Sequence, residues 1–135
     1  MYAWYLPNST VAGKIKCCAV SKDGNYLATG SSMGEMCLLD QRTGCLMAVW
    51  KAHDGPVLKL KFWNHDTLIS SSQDKHICMW NITLLPPVLT KKFKGHTDPV
   101  ESFDIFHNTM ISVAGSKIGV ASLVDEVWLF RALID

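Results

Sequence analysis

A chain of 135 residues, 48% of them hydrophobic and 19% charged, has the composition of a globular domain of modest size and excludes the disordered and fibrous classes. Thirteen Lys and Arg against twelve Asp and Glu, a formal net charge of +1, lack the basic excess of a dedicated nucleic-acid binder, so no nucleic-acid partner is expected. The longest apolar runs, such as Ile82 to Leu85 and Val127 to Phe130, fall far short of the roughly 20 residues a membrane-spanning helix needs.

From the N-terminus, Met1-Tyr-Ala-Trp-Tyr-Leu-Pro-Asn8 has neither the basic start nor the apolar core of a signal peptide, and the expectation is an intracellular protein. Ile15-Lys-Cys-Cys-Ala-Val20 then reads as a strand, rich in apolar and β-branched residues and closed by the turn Lys22-Asp-Gly-Asn25. Tyr26-Leu-Ala-Thr-Gly-Ser31 and Glu35-Met-Cys-Leu-Leu39 follow as strands, and Asp40-Gln-Arg-Thr-Gly44 turns the chain into a fourth, Cys45-Leu-Met-Ala-Val-Trp50. The order then repeats. Val57 to Phe62, the turn Asn64-His-Asp66, Thr67 to Ser71 and His76 to Trp80 lead to Pro86-Pro87 and the basic string Lys91-Lys92-Phe-Lys94. Val100 to Phe106, the turn His107-Asn108 and Thr109 to Val113 begin a third round, and no helical period interrupts the series.

The similarity between rounds is literal. Lys51-Ala-His53-Asp-Gly-Pro56-Val57 recurs as Lys94-Gly-His96-Thr-Asp-Pro99-Val100, preserving Lys, His, Pro and Val together. Four short strands in a unit of about 42 residues are the signature of a β-propeller blade. The predicted fold is therefore all-β, a partial propeller of three four-stranded antiparallel blades. Residues 1–13 are expected as the outer strand or tail of a preceding blade, 14–53 as the first blade, 54–96 as the second, and 97–135 as a divergent third, complete or incomplete.

The middle unit carries the closest pattern: Ala52-His53, then Ser70-Ser-Ser72-Gln-Asp74 and Cys78-Met-Trp80-Asn81. It resembles a WD40 repeat. That resemblance implies a hydrogen-bonded chain of His53, Ser70 (Ser72 is the second choice), Asp74 and Trp80, in which each partly buried polar group satisfies the next. The first unit has Met33 and Leu39 where the Asp and Trp belong, so apolar packing is expected to substitute there. The third keeps His96 and Ser112 but offers Gly115 or Ser116 for the Asp and Ala121 or Ser122 for the Trp.

Three blades do not close a ring. A blade face covers about 330 Å², and leaving it wet forfeits up to roughly 8 kcal/mol. The missing partners are then the remaining blades of a longer protein or another chain, and residues 126–135 are expected to begin a continuation.

No catalytic constellation is present: His53 and His96 each precede a repeated Pro-Val pair, as structural loop histidines do, so the chain is not expected to be an enzyme. Cys17, Cys18, Cys37, Cys45 and Cys78 are odd in number and form no Cys-x-x-Cys pair, which predicts buried free thiols and no metal site or other cofactor. The sequons Asn8-Ser-Thr10 and Asn81-Ile-Thr83 are silent inside a cell. Lys91-Lys92-Phe-Lys94 could meet anionic lipid or an acidic partner, but the plainer reading is a solvated strand after a rigid loop. Phosphoinositide-binding propellers carry an Arg-Arg pair, whereas Arg42 and Arg131 here are far apart. Trp50, Phe62 and Trp63 are assigned to packing within and between blades.

Longer strings narrow the family. Gly34-Glu-Met-Cys-Leu-Leu-Asp-Gln-Arg-Thr-Gly44, Leu68-Ile-Ser-Ser-Ser-Gln-Asp74, Asp98-Pro-Val-Glu-Ser-Phe-Asp104 and Ser116-Lys-Ile-Gly-Val-Ala-Ser-Leu123 resemble, in order, a C-terminal propeller of the BEACH-domain WD-repeat proteins. The resemblance implies a non-catalytic regulator of endosomal trafficking. It would work with a WD-repeat partner protein and Beclin to restrain class III phosphatidylinositol 3-kinase, favouring early-to-late endosome conversion and taking part in autophagy. It places the chain in the cytosol and on the cytosolic face of early and late endosomes, with indirect membrane association. A generic WD40 scaffold or ubiquitin-ligase substrate receptor is the alternative.

Overall fold

Twelve strands and no helix are found among residues 13–124 and 128–132, which the computed structural model describes. Strands β1 (Ile15–Val20), β2 (Tyr26–Ser31), β3 (Glu35–Asp40) and β4 (Leu46–Lys51) form the first sheet. The second holds β5 (Val57–Asn64), β6 (Thr67–Ser72), β7 (Ile77–Asn81) and β8 (Val88–Phe93), and the third β9 (Ser102–Phe106), β10 (Thr109–Ala114), β11 (Lys117–Ser122) and β12 (Trp128–Ala132). Each sheet is an antiparallel meander in chain order.

Turn chemistry sets these meanders. Between β1 and β2 the Asp23 carboxylate accepts hydrogen bonds from Ser21 Oγ (2.6 Å) and the Asn25 amide (3.0 Å), while Gly24 takes φ 76° in the left-handed region. Asn64 Oδ1 accepts the Asp66 amide at 3.1 Å between β5 and β6, and Asp40 Oδ1 accepts that of Arg42 at 3.0 Å between β3 and β4.

The period-two alternation of the middle sheet divides its side chains between two cores. Leu60, Phe62, Leu68, Cys78, Trp80 and Ile82 face the first sheet, where they meet Ala28, Met36 and Leu38. Ile69, Ile77, Met79 and Phe93 face the third, against Val100, Phe103, Met110 and Ala121. The sheets approach one another through their first strands, β1 against β5 and β5 against β9, while β4 and β8 make no comparable contact, so the sheets fan outward as blades do. Trp50 packs edge-on to Trp80 across the first interface, with ring centres 5.7 Å apart. Trp63 crosses the second by donating its indole N–H to the His107 carbonyl at 2.7 Å.

The arrangement is a partial propeller. Val20 on the first sheet and Ile111 and Val113 on the third point away from the middle sheet and are exposed. Two expectations require correction. Residues 128–132 pair with β11 as the fourth strand of the third sheet rather than opening a further unit. Only Cys37 and Cys78 are buried thiols, whereas Cys17 is half-buried and Cys18 and Cys45 are exposed. Strand alternation is the reason: Cys17 turns inward, its Sγ 3.5 Å from the Val57 carbonyl, which leaves its neighbour Cys18 outward, and Cys45 lies in the connection between β3 and β4. Burial holds the Cys78 thiol up at about 12, and burial with the adjacent Cys18 raises Cys17 to about 11. Both therefore stay protonated and unreactive at neutral pH. Trp4-Tyr5 and residues 1–12 lie outside the described residues.

Candidate functional site

The loop between the first and second sheets places His53 over the β6–β7 hairpin. His53 is 3% exposed and its backbone N–H donates to the Gly34 carbonyl at 3.0 Å, alongside the Ala52 N–H at 2.9 Å. The ring bridges into the second sheet: Nδ1 lies 2.9 Å from Asp74 Oδ2 and Nε2 lies 2.7 Å from Ser70 Oγ. Trp80 Nε1 donates to the same Ser70 Oγ at 3.0 Å. With Nδ1 protonated, donors and acceptors run in one direction: indole N–H to serine oxygen, serine O–H to His53 Nε2, His53 Nδ1–H to carboxylate. Ser70, not Ser72, is the hydroxyl in this chain. Ser72 Oγ instead accepts the Asp74 amide at 3.1 Å and donates to the Pro56 carbonyl at 2.8 Å.

Sequence reasoning missed two donors to Asp74: the Asp54 N–H reaches Oδ2 at 3.1 Å and the His76 N–H reaches Oδ1 at 2.9 Å. Backbone donors carry no side-chain signature. Burial pushes the Asp74 carboxyl up, but the His53 hydrogen bond and charge and the two backbone N–H groups outweigh it and hold the group near 2. A polar recess of about 80 Å³ opens beside the network, lined by Lys51, Ala52, His53, Asp54, Asp74 and Lys92.

The flanking blades keep the scaffold and lose the chain. In the first, Thr29 pairs with Cys37 as Ser70 pairs with Cys78, and Leu39 stands opposite Leu27 as Trp80 does opposite Leu68. Leu39 is buried but Met33 is 54% exposed, so apolar packing replaces the network on the strand and not at the turn. In the third, His96 Nε2 lies 2.8 Å from Ser112 Oγ, and Ala121 rather than Ser122 holds the tryptophan's place opposite Met110. Four residues separate the paired Val113 and Ile118, against five between Ser71 and Ile77, so counting forward from Ser112 puts Ser116 at the aspartate's position and counting back from Ala121 puts Gly115 there, and neither brings a carboxylate. Asp98 fills that space from the other side: a Cβ on Gly115, itself at φ 61°, would lie 2.5 Å from Asp98 Oδ2.

His76 and His96 are expected to make the fold sensitive to mild acid. Burial lowers the proton affinity of His76, assisted by Lys92 and Lys94 and opposed by Asp74; burial and Lys117 lower that of His96, opposed by Asp98. A folded-state pKa below the unfolded value of about 6.5 means the unfolded chain binds more protons as pH falls below it, so stability declines on acidification. The urea midpoint is expected to fall between about pH 7 and 5, and less so in His76→Asn. A flat midpoint in the wild type would contradict this.

Comparison with known proteins agrees with this geometry. The family model for the WD domain, G-beta repeat, matches residues 6–35 and 44–81. WD repeat-containing protein 81 of Danio rerio is 35% identical over 116 residues, 85% of this chain, and that of Homo sapiens 34% identical over 114 residues, 84% of it. The chain spans about 6% of the length of either relative. Among solved structures, the RRP9 WD40 repeats superimpose with a TM-score of 0.78 at 23% identity, covering 86% of this chain and 36% of that one.

Proposed function

This chain belongs to the WD40 repeat family, a protein-interaction module homologous to part of WD repeat-containing protein 81, and from that premise we propose that it serves a non-catalytic regulator of endosomal trafficking. In this reading the blades contribute to a complete propeller that contacts a WD-repeat partner protein and Beclin. They thereby restrain class III phosphatidylinositol 3-kinase on the cytosolic face of early and late endosomes, with a role in autophagy. The observation that carries the reading is the 34–35% identity to that protein over 84–85% of the chain. The geometry supplies a means: because His53 joins the loop at 52–56 to the β6–β7 hairpin, the upper end of the two blades is a preformed surface.

The test is affinity purification and imaging of the segment carried within a complete propeller. Co-purification with Beclin and the kinase, and location on endosomes, are the expected results. Recovery of a ubiquitin-ligase adaptor with no endosomal protein would replace this reading with the substrate-receptor one.

A further inference from the structure

Leu84, Leu85, Val88 and Leu89, all exposed, follow one another along the β7–β8 connection and the first half of β8. The exposed Val20, Ile111 and Val113 belong to sheet faces that a neighbouring blade would cover. This connection does not, since it belongs to the middle sheet, whose two faces are both already packed. The second half of β8 and its extension are basic, with Lys92 and Lys94 exposed. Positions 75–97 hold four lysines and no Asp or Glu. β8 is also the last strand of its sheet, so among the described residues one side of its backbone has no ladder partner.

We propose that β8 is a docking edge for an extended peptide of another protein, acidic in its N-terminal half and apolar in its C-terminal half, added antiparallel as a fifth strand. The orientation follows from the sheet, which is antiparallel throughout. A strand running against Val88→Phe93 meets Lys94 and Lys92 first and Leu89 and Val88 last. Main-chain hydrogen bonds along the edge supply affinity, and the end-to-end division of β8 into apolar and basic halves supplies direction. A second copy of β8 is the wrong occupant, because it brings no carboxylate to these lysines. The edge is also kept from indiscriminate pairing by a bulge at Thr90, whose Oγ1 turns back to donate to the Met79 carbonyl at 3.2 Å.

An anionic bilayer fits less well. At about 3.3 Å per residue the two lysines stand roughly 13 and 20 Å along the strand from Val88, so a bilayer that takes up the leucines with the strand end-on leaves both lysines beyond a headgroup layer of about 6 Å. Asp66 sits at the same end of the sheet as the leucines, its carbonyl accepting the Ile82 N–H at 3.0 Å, and would face the lipid surface with them.

The inference rests on the interaction-module reading and not on the endosomal one. Its test is fluorescence anisotropy of the full chain with a fluorescein-labelled synthetic peptide, Glu-rich in its N-terminal half and alternating Val and Thr in its C-terminal half. Saturable binding is expected, weakened at least about tenfold by Lys92→Glu with Lys94→Glu, recovered when the peptide's glutamates become lysines, and abolished when alternate peptide amides are N-methylated. Absence of binding, or indifference to N-methylation or to charge reversal, would overturn the docking edge. So would binding to phosphatidylserine-containing vesicles in place of the peptide. Peptide binding without recovery of endosomal partners in cells would remove the endosomal reading and leave this edge in place.

Discussion

Replacing Gly34 with alanine is expected to lower the unfolding free energy by about 3 kcal/mol, far more than the same change at Gly24. Both glycines sit in the left-handed region, at φ 83° and 76°, and a side chain there costs about 1 kcal/mol for conformation alone. They differ in surroundings. A Cβ at Gly24 meets nothing within 4 Å, whereas at Gly34 it would lie 2.0 Å from the His53 carbonyl oxygen and 3.0 Å from that of Gly55. That oxygen belongs to backbone, so the loop itself must retreat, stretching the hydrogen bonds of Ala52 and His53 to the Gly34 carbonyl and drawing His53 off Ser70 and Asp74. Urea denaturation of the two variants separates the conformational cost from the clash. Equal midpoint losses would show that the loop yields without cost, and the coupling between the first two blades argued above would fail.

Gly34 also shows where the sequence stops speaking. Its place between two strand-like runs was legible. Its contact with a loop about 20 residues onward was not, since a glycine's neighbours leave no mark on the glycine. The strands and their grouping were legible because turn residues punctuate them and His-x-x-Pro-Val repeats. His53, Ser70, Asp74 and Trp80 could be picked out because the middle unit resembles a WD40 repeat, whose pattern places a histidine, a hydroxyl, a carboxylate and an indole at the matching positions. The third blade resisted for a physical reason: its β10–β11 hairpin is one residue shorter, and one deletion between Val113 and Ile118 removes a position without altering the strands on either side. The inward and outward faces of β1 were equally silent, because Cys17 and Cys18 are the same residue type and only the neighbouring sheet distinguishes them.

Asp74→Ala is expected to cost about 3 kcal/mol in the middle blade, while Ser116→Ala in the third stays within about 0.5 kcal/mol. The carboxylate accepts three hydrogen bonds, from His53 Nδ1 at 2.9 Å, the His76 N–H at 2.9 Å and the Asp54 N–H at 3.1 Å, and alanine leaves three donors without a partner. Equal midpoint losses in urea would contradict the network's role. Acid supplies a second readout. The Asp74 carboxyl titrates near 2 in the folded chain against 3.8 unfolded, so its contribution, about 2 kcal/mol, is complete above the unfolded value and is lost as pH falls from about 4 to 2. Asp74→Asn keeps an acceptor of similar shape and cannot titrate. Its urea midpoint should therefore begin lower at neutral pH and lose less than the wild type across that acid interval. If both proteins decline in parallel there, the acid sensitivity lies in other carboxylates, and the link from Asp74 through His53 and Ser70 to Trp80 contributes little to holding the blade together.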